Sequence, residues 1–179
     1  MIKTFGDKKI TIRSIQKSDL KIVKKFQEFV NSLIKEDVKI TLSKPVGLKE
    51  EREFLKDILK SKRRRTRVFI FAECDGEIVA TTGVEQLKGK QNYIGRFGII
   101  IRNGYRGFGL GKYITAEIIR LATRDLRPKP KMIKLEVYAN NVPAIGLYKK
   151  MGFRMVARIP KQFQHKGKLV DEFIMLKKL

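Results

Sequence analysis

The sequence predicts an α/β fold, in which a central, mixed but mostly antiparallel sheet of six to seven strands carries about four helices on both faces. Short runs rich in β-branched and aromatic residues alternate with amphipathic stretches along the chain. No internal repeat, low-complexity run or linker divides it. The 179 residues, 42% of them hydrophobic, suit one domain over residues 1–179 with one core.

The N-terminal part is predicted to form a strand followed by two helices. Residues 9–15 alternate between apolar and polar side chains, as a half-buried strand does. Ser18 and Asp19 offer a helix cap, and apolar residues then recur at three- and four-residue spacing up to Ile34. A second helix is predicted over 48–62, because its first turn is acidic and its last turn is basic, as the helix dipole favours.

A hairpin and a further strand follow. Residues 67–74 are rich in β-branched and aromatic side chains, and residues 77–87 return as the partner strand. Asp75 and Gly76 between them suit a two-residue hairpin turn, in which both positions have positive φ. Residues 93–102 form the next predicted strand and lead directly into a glycine-rich loop.

The C-terminal part alternates strands with helices and ends in a pair of strands. Its predicted elements are a helix over 109–124, a proline-broken connector over 127–131, a strand over 132–139, a short helix from about Asn141 to Gly152, and strands over 153–163 and 169–179. Pro143 falls in the first turn of the short helix, where proline is tolerated, and Gly152 is suited to end it.

The composition argues against several kinds of site and location. Cys74 and His165 are the single cysteine and the single histidine, which leaves little for a zinc site, so no metal is expected. A serine–histidine triad would have to use His165, and the G-x-S-x-G motif is missing. No apolar run is long enough to span a membrane, and the N-terminus lacks the apolar block of a signal peptide. One cysteine fits a reducing compartment, so a cytoplasmic location is expected.

The net charge of +23 predicts attraction to polyanions, including nucleic acid, ribosomes or phosphorylated cofactors. A lysine-rich, well-solvated surface without such a partner is the alternative. The basic run at 61–67 allows the same two interpretations, as a nucleic-acid patch or as a solvated helix end. The oligomeric state is left open between a monomer and a homodimer.

The glycine-rich loop between the 93–102 strand and the next helix is predicted to bind an anion. A Walker A motif would need glycine at Arg106 and serine or threonine at Tyr113, and a dinucleotide motif would need glycine at Lys112 or Ile114. What remains is R-x-x-G-x-G from Arg106 to Gly111. Glycines expose successive amides, a helix N-terminus adds positive charge, and Arg106 and Lys112 add more. The expected ligand is a diphosphate on a larger molecule; a connector without a ligand is the alternative.

A second motif lies about thirty residues further on. The pattern N-x-x-A-x-x-L-Y-x-x-x-G-F runs from Asn141 to Phe153. Together with R-x-x-G-x-G and the order of elements, it resembles the GNAT superfamily of N-acetyltransferases. The motifs span about residues 93–153, and the order of elements matches over nearly the whole chain. Ribosomal-protein N-terminal acetyltransferases show a similar L-E-V…N…L-Y arrangement.

The resemblance implies that acetyl-CoA is the acyl donor and lies where two parallel strands splay apart. The loop amides would hold its diphosphate, the backbone from Ile99 to Ile101 would pair with its pantetheine arm, and Asn141 would contact that arm. The implied cofactor-binding residues are Ile99, Ile100, Ile101, Arg106, Gly107, Phe108, Gly109, Leu110, Gly111, Lys112, Asn141, Ala144 and Tyr148.

The resemblance also implies catalytic roles. Tyr148 matches a tyrosine that protonates the departing CoA thiolate, although a tyrosine on a short helix also suits core packing. The amine must lose a proton, and Glu136 is the preferred base, with Glu85 or a water chain as alternatives. Glu136 shares a sheet face with Tyr138, since side chains two apart do so. A strand carboxylate paired with a lysine is the structural alternative for Glu136.

The predicted function is therefore acetyl-CoA-dependent transfer of an acetyl group directly to a primary amine of a protein N-terminus, a lysine or a small molecule. A non-catalytic acyl-CoA-binding protein and a basic nucleic-acid-associated protein of the same fold are the alternatives. The expected acceptor segments, 31–47 and 159–172, are not diagnostic. A polyamine would be repelled by the protein's charge unless the cleft is locally acidic.

Overall fold

The structure, a computed structural model, describes all residues from Met1 to Leu179. It contains four α-helices, eight strands and two short 3₁₀ segments at Lys17–Ile22 and Gly89–Gln91. The strands are β1 (Ile2–Phe5), β2 (Lys8–Ser14), β3 (Arg67–Cys74), β4 (Glu77–Gln86), β5 (Ile94–Ile101), β6 (Met132–Tyr138), β7 (Arg154–His165) and β8 (Lys168–Lys178). The helices are α1 (Val23–Lys35), α2 (Leu48–Arg63), α3 (Leu110–Asp125) and α4 (Val142–Lys150).

The eight strands form one sheet in the order β1-β2-β3-β4-β5-β6-β8-β7. Every neighbouring pair is antiparallel except β5 and β6, which are parallel. The predicted mixed, mostly antiparallel sheet is confirmed, but with eight strands instead of six to seven. The additional strand is the edge strand Ile2–Phe5, whose residues are mostly exposed and therefore lack the alternation that marks a half-buried strand.

Helices cover both faces of the sheet, as predicted. On one face, α1 and α2 bury Phe26, Phe29 and Leu55 against β3. On the other, α3 packs on β3, β4 and β5, and buries Ile114 and Ile118 in the larger apolar cluster. None of the helices combines the length and the apolar character needed to cross a membrane.

The predicted helix cap at Ser18 and Asp19 needs a correction. Residues 17–22 form a 3₁₀ segment and α1 begins only at Val23. The buried Asp19 carboxylate accepts hydrogen bonds from the backbone N–H of Gln16 at 2.7 Å and from the Arg13 guanidinium at 2.8 and 2.9 Å. Asp19 therefore stabilises the segment before the helix and ties it to β2.

The predicted hairpin turn at Asp75 and Gly76 is confirmed, and a second turn of the same kind joins β7 to β8. Asp75 and Gly76 have φ values of 50° and 76°, and Lys166 and Gly167 in the turn between β7 and β8 have 52° and 72°. Two consecutive positive φ values match the twist of antiparallel strands, which explains the glycine at each second position.

Candidate functional site

The sheet opens between its two parallel strands. The pairing of β5 with β6 covers only Ile94–Arg96 opposite Met132–Lys134. Beyond Arg96, β5 stays paired with β4 as far as Ile101, and β6 stays paired with β8 as far as Tyr138. The two strands therefore separate at their carboxyl ends and leave a gap, which is where ligands bind in open α/β sheets.

One edge of the gap presents unpaired backbone groups of β5. The N–H of Arg102 donates to the carbonyl of Val79 in β4 at 2.9 Å. Because the backbone N–H and C=O groups of successive residues point to opposite sides of a strand, those of Ile100 also point to β4, whereas those of Ile99 and Ile101 point into the gap. Of the three residues predicted to pair with the cofactor arm, only Ile99 and Ile101 therefore present backbone groups to the gap. The backbone of Ile100 bonds β4, and its side chain packs toward α1.

The loop after β5 forms a cradle of free amides. No backbone N–H from Arg106 to Lys112 donates a hydrogen bond within the protein, and the first N–H bonded in α3 is that of Tyr113, to Gly109 at 3.1 Å. Gly107 and Gly109 have φ values of 88° and 89°, a region that favours glycine. These free amides lie next to the N-terminus of α3, and together they form a site that can bind an anion.

Gly111 and Leu110 have packing roles at the start of α3. A Cβ on Gly111 would lie 3.2 Å from both Ile101 Cδ1 and Leu147 Cδ2, so glycine lets α3 approach β5 and α4 closely. The Leu110 side chain is buried and anchors the helix. Phe108 is half exposed and lies beside Gly6 in the turn between β1 and β2.

Two cations flank the cradle differently. Arg106 Nε donates to the carbonyl of Ile101 at 2.7 Å, and its guanidinium lies 3.5 Å from the Glu36 carboxylate. Arg106 thus lies across the mouth of the gap and links β5 to the end of α1. Lys112 is exposed on the first turn of α3 and makes no ion pair, so it is available to an anion on the cradle.

The start of α4 supplies further free polar groups. Asn141 is its N-cap residue, and its side chain makes no hydrogen bond within the protein. The backbone N–H of Ala144 also lacks an acceptor, whereas that of Ile145 bonds the carbonyl of Asn141 at 3.0 Å. Both predicted residues are therefore free to contact a ligand.

Tyr148 combines a packed ring with an uncommitted hydroxyl. The side chain is 7% exposed and lies edge-on to Phe97 with ring centroids 6.0 Å apart. Burial raises the pKa of Tyr148 to about 12. The hydroxyl has no hydrogen-bond partner in the protein and is not among the fully enclosed polar atoms. The core-packing role holds for the ring, and the hydroxyl stays available as a proton donor.

Glu136 lies on the opposite face of the sheet from Tyr148. It is exposed and forms an ion pair with Lys134 at 2.9 Å, which is the contact expected of a strand carboxylate. Glu85, its alternative, lies 3.5 Å from Arg96 and 3.9 Å from Arg67. Because Glu85 is the register partner of Arg96, Glu85 lies at the end of the sheet where β5 and β6 still pair. Glu136 is therefore the candidate base that lies beside the gap.

The face that α1 and α2 cover contains Gly98, a residue of the candidate site that sequence reasoning missed. We call the space bounded by Gly98, Glu136, Tyr138 and Glu172 the α1-side cleft. A Cβ on Gly98 would meet nothing within 4 Å, and the Glu172 side chain is buried. The strand alternation of 132–138 and 172–176 could have placed Glu172 on this face, since Tyr138 and Glu172 are register partners.

An aromatic wall and a loop close this cleft. Tyr138 stacks on Phe163 with centroids 4.0 Å apart, and its hydroxyl donates to the carbonyl of Ile40 at 3.1 Å. His165 is largely covered, and its Nε2 lies 3.1 Å from the carbonyl of Asp37. The segment after α1 is thereby held over the cleft.

Comparison with known proteins agrees with this geometry. The model of the acetyltransferase (GNAT) family matches residues 31–153. The chain belongs to this family. The matched segment contains α2, the gap, the amide cradle and α4, so the family's common region coincides with the candidate site.

Individual relatives of this GNAT protein are distant. It is 28% identical over 102 residues to the L-amino acid N-acetyltransferase AaaT of Escherichia coli, a match over 56% of this chain and 62% of that protein. A GNAT acetyltransferase from Streptococcus pneumoniae has a TM-score of 0.82 at 23% identity, covering 95% of this chain and 99% of that one. A phosphinothricin acetyltransferase from Sinorhizobium meliloti, in complex with AcCoA, has a TM-score of 0.78 at 15% identity. The match covers 95% of this chain and 88% of that one.

Proposed function

We propose that this GNAT protein is an acetyl-CoA-dependent N-acetyltransferase that transfers an acetyl group directly to a primary amine of a protein N-terminus, a lysine or a small molecule. The observation that carries the proposal is the parallel-strand gap joined to the run of free amides from Arg106 to Lys112. The gap suits an extended arm, and the cradle suits a diphosphate.

Acetyl-CoA supplies an activated thioester, from which acyl transfer to an amine releases the CoA thiol. The chain's residues fit this donor. The N–H groups of Ile99 and Ile101 and the carbonyl of Ile99 face the gap, and the amides from Arg106 to Lys112 point at an anion beside α3. Asn141 and Ala144 offer a free amide side chain and a free N–H at the other wall.

Stabilisation of negative charge on the acetyl oxygen falls to the same β5 edge. The N–H groups of Ile99 and Ile101 face the gap beyond the last paired residue, Arg96. Fixed backbone donors of this kind stabilise an oxyanion by about 3 to 4 kcal/mol each. The donors are held rigidly, because β5 remains paired with β4 throughout.

Proton transfers are divided between the two faces of the sheet. The Tyr148 hydroxyl, protonated at neutral pH because burial raises its pKa to about 12, protonates the departing thiolate from the α4 side. Glu136, directly or through water, takes the proton of the amine from the opposite side. The acceptor therefore enters through the α1-side cleft, since the α3 face is filled by Phe97 and its apolar neighbours.

A thiol-release assay with acetyl-CoA tests the function. The panel contains peptides with free N-termini, lysine peptides, small amines and amino acids. CoA release that depends on an amine is the expected result. Tight acetyl-CoA binding without transfer to any amine would instead support an acyl-CoA-binding protein, and failure to bind acetyl-CoA would contradict both.

We also propose a cytoplasmic location for the protein. The single cysteine, Cys74, is buried and forms no disulfide, which fits a reducing compartment.

Nucleic-acid binding is a second candidate function, favoured by a concentration of charge at the closed end of the sheet. We define the basic end by its exposed cations without ion pairs: Arg63, Arg64, Arg65, Lys88, Lys90, Lys129, Lys131 and Lys178. They come from four chain segments that touch. The N–H of Arg127 donates to Arg65 at 2.9 Å, that of Lys131 to Tyr93 at 2.8 Å, and that of Leu179 to Lys131 at 3.1 Å.

A cavity of about 200 Å³ lies beside the basic end and is lined by Lys62, Arg65 and Arg67 with one acid, Asp125. The basic end is roughly 23 Å from the cradle, the length of β5. It can therefore attract a polyanion while acetyl-CoA occupies the gap. Phosphate backbones suit such a surface because each neutralised phosphate releases counterions.

Fluorescence anisotropy with a labelled 20-nucleotide RNA tests this surface. We expect binding that weakens steeply with salt and is reduced about tenfold or more by combining Arg63→Glu, Arg64→Glu and Lys129→Glu. The control combines Lys161→Glu, Lys166→Glu and Lys168→Glu, which make the same net change at the other end. Equal loss in both variants would show a response to total charge alone and would remove the assignment.

A further inference from the structure

Glu172 is a buried acid for which the reaction outlined above has no use. The residue is 7% exposed, and its carboxylate forms no hydrogen bond or ion pair in the protein. Its oxygens are not among the fully enclosed polar atoms of the protein, so the carboxylate can be reached from the cleft. In a chain of net charge +23 with many lysines available, the missing partner calls for a specific explanation.

The register places Glu172 in the α1-side cleft. Tyr138 pairs with Glu172, and Glu136 pairs with Ile174, so all of these side chains lie on the face opposite Phe173 and Met175. Glu136 and Glu172 are diagonal neighbours, whose Cβ atoms are typically about 7 Å apart. Burial, followed by the charge of Glu136, raises the pKa of Glu172, and the nearby charge of Lys134 offsets part of this rise.

The charges around these two acids do not satisfy Glu172. Lys134 is taken by Glu136 at 2.9 Å, and Arg158 is bonded to Asp171. Arg106 lies at Glu36, and Lys39 donates to the carbonyl of Asn140 at 2.8 Å. Each neighbouring cation therefore has another partner, which leaves one carboxylate of the cleft available to a cation from solution.

The shape of the cleft limits what this cation can be. Gly98 leaves space at the point where the strands separate, so the reacting amine has room beside Glu136. The stacked pair of Tyr138 and Phe163 lies next to Glu172 and presents an apolar surface to an aliphatic chain. A carboxylate on the acceptor would be repelled by the two acids.

We propose that Glu172 binds a second cationic nitrogen of the acceptor, so that the preferred substrate is a short aliphatic diamine without a carboxylate. One amino group lies at the gap beside Glu136 and receives the acetyl group, while the other ion-pairs with Glu172. This rests on the proposed acetyltransferase function. It also accounts for the locally acidic cleft that a cationic acceptor of a basic protein requires.

Two amines of equal chain length test the assignment. Initial rates are measured with 1,4-diaminobutane and with n-butylamine, which lacks the second nitrogen. We expect the native enzyme to favour the diamine in kcat/KM by roughly 10- to 100-fold, the range for a hydrogen bond to a charged group. Glu172→Gln should remove the preference by raising KM for the diamine. Asp171→Asn, one residue away on the other face, should keep it.

Calorimetric titration of 1,4-diaminobutane into the CoA-saturated protein gives a second readout that needs no turnover. Binding to the native protein that weakens about tenfold or more in Glu172→Gln supports the assignment. Equal binding by the two proteins, no diamine preference, or a preference that survives Glu172→Gln overturns it. Amine acetylation without diamine preference would leave the acetyltransferase intact, whereas loss of acetyl-CoA binding would contradict that function instead.

Discussion

At the scale of single residues, Tyr148 shows how one side chain serves both the core and the chemistry. Its ring packs against Phe97, and its hydroxyl bonds nothing in the protein. Tyr148→Phe should therefore leave the free energy of unfolding nearly unchanged but lower kcat by about 100-fold, within the range for losing a general acid. Steady-state kinetics from pH 6 to 9 check this. Native turnover at every pH would remove the acid role.

Glu51 is a buried carboxyl in the first turn of α2. Its side chain is 3% exposed, and burial raises the pKa of Glu51 from 4.5 to about 7. A raised carboxyl pKa means that the folded state disfavours the charged form. The stability that the Glu51 carboxyl contributes is thus fully present below its pKa in the unfolded chain, and it is lost as the pH rises through its pKa in the folded protein.

Glu51→Gln should consequently gain stability relative to the native protein as the pH rises from 5 to 8. The rise of the Glu51 pKa from 4.5 to about 7 corresponds to roughly 3 kcal/mol of stability at most, with most of the change between pH 5 and 7. Urea denaturation of both proteins at pH 5 and pH 8 measures it. A stability difference that stays constant with pH would contradict the burial of an uncompensated carboxylate.

At the scale of elements, two glycines of β5 lie three residues apart and meet opposite surroundings. A Cβ on Gly95 would lie 2.6 Å from Val84 Cγ1 and 3.0 Å from Ile133 Cδ1, whereas one on Gly98 would meet nothing within 4 Å. Gly95→Ala should lose about 1 to 3 kcal/mol of stability through overpacking. Gly98→Ala should not lose stability.

Gly98→Val should in addition reduce acetyl transfer by narrowing the α1-side cleft at the gap, with the affinity for CoA retained. Thermal unfolding of the glycine variants, combined with the acetylation assay, separates packing from access. A catalytic loss in Gly98→Val that is matched by an equal loss of stability would place Gly98 in the core instead of the cleft.

Most elements were predictable because each has its own local signal. The hairpin at Asp75 and Gly76 follows from turn chemistry, and α2 from its terminal charges. The edge strand Ile2–Phe5 was missed because it is paired on one side only and mostly exposed. The 3₁₀ segment before α1 was missed because the bond from Arg13 to Asp19 is set by tertiary structure.

The residues of the candidate site likewise differ in whether a local pattern predicts them. The loop and Tyr148 carry motifs that the sequence shows directly. The position of Glu172 beside Tyr138 follows from the pairing of β6 with β8, which is a relation between distant segments. The limited parallel pairing that opens the gap is likewise a property of the whole sheet.

At the scale of the whole molecule, cofactor binding should stabilise the fold, because the gap and cradle belong to several elements of one sheet. Acetyl-CoA at about 100 times its Kd adds roughly 2.7 kcal/mol, or about 5 to 10 °C in Tm for a chain of this size. Arg106→Glu should remove most of the shift, since it places an anion at the mouth of the gap. Lys129→Glu, an equal charge change at the basic end, should retain it. Thermal scans with and without acetyl-CoA measure both, and an undiminished shift in Arg106→Glu would move the diphosphate away from this loop.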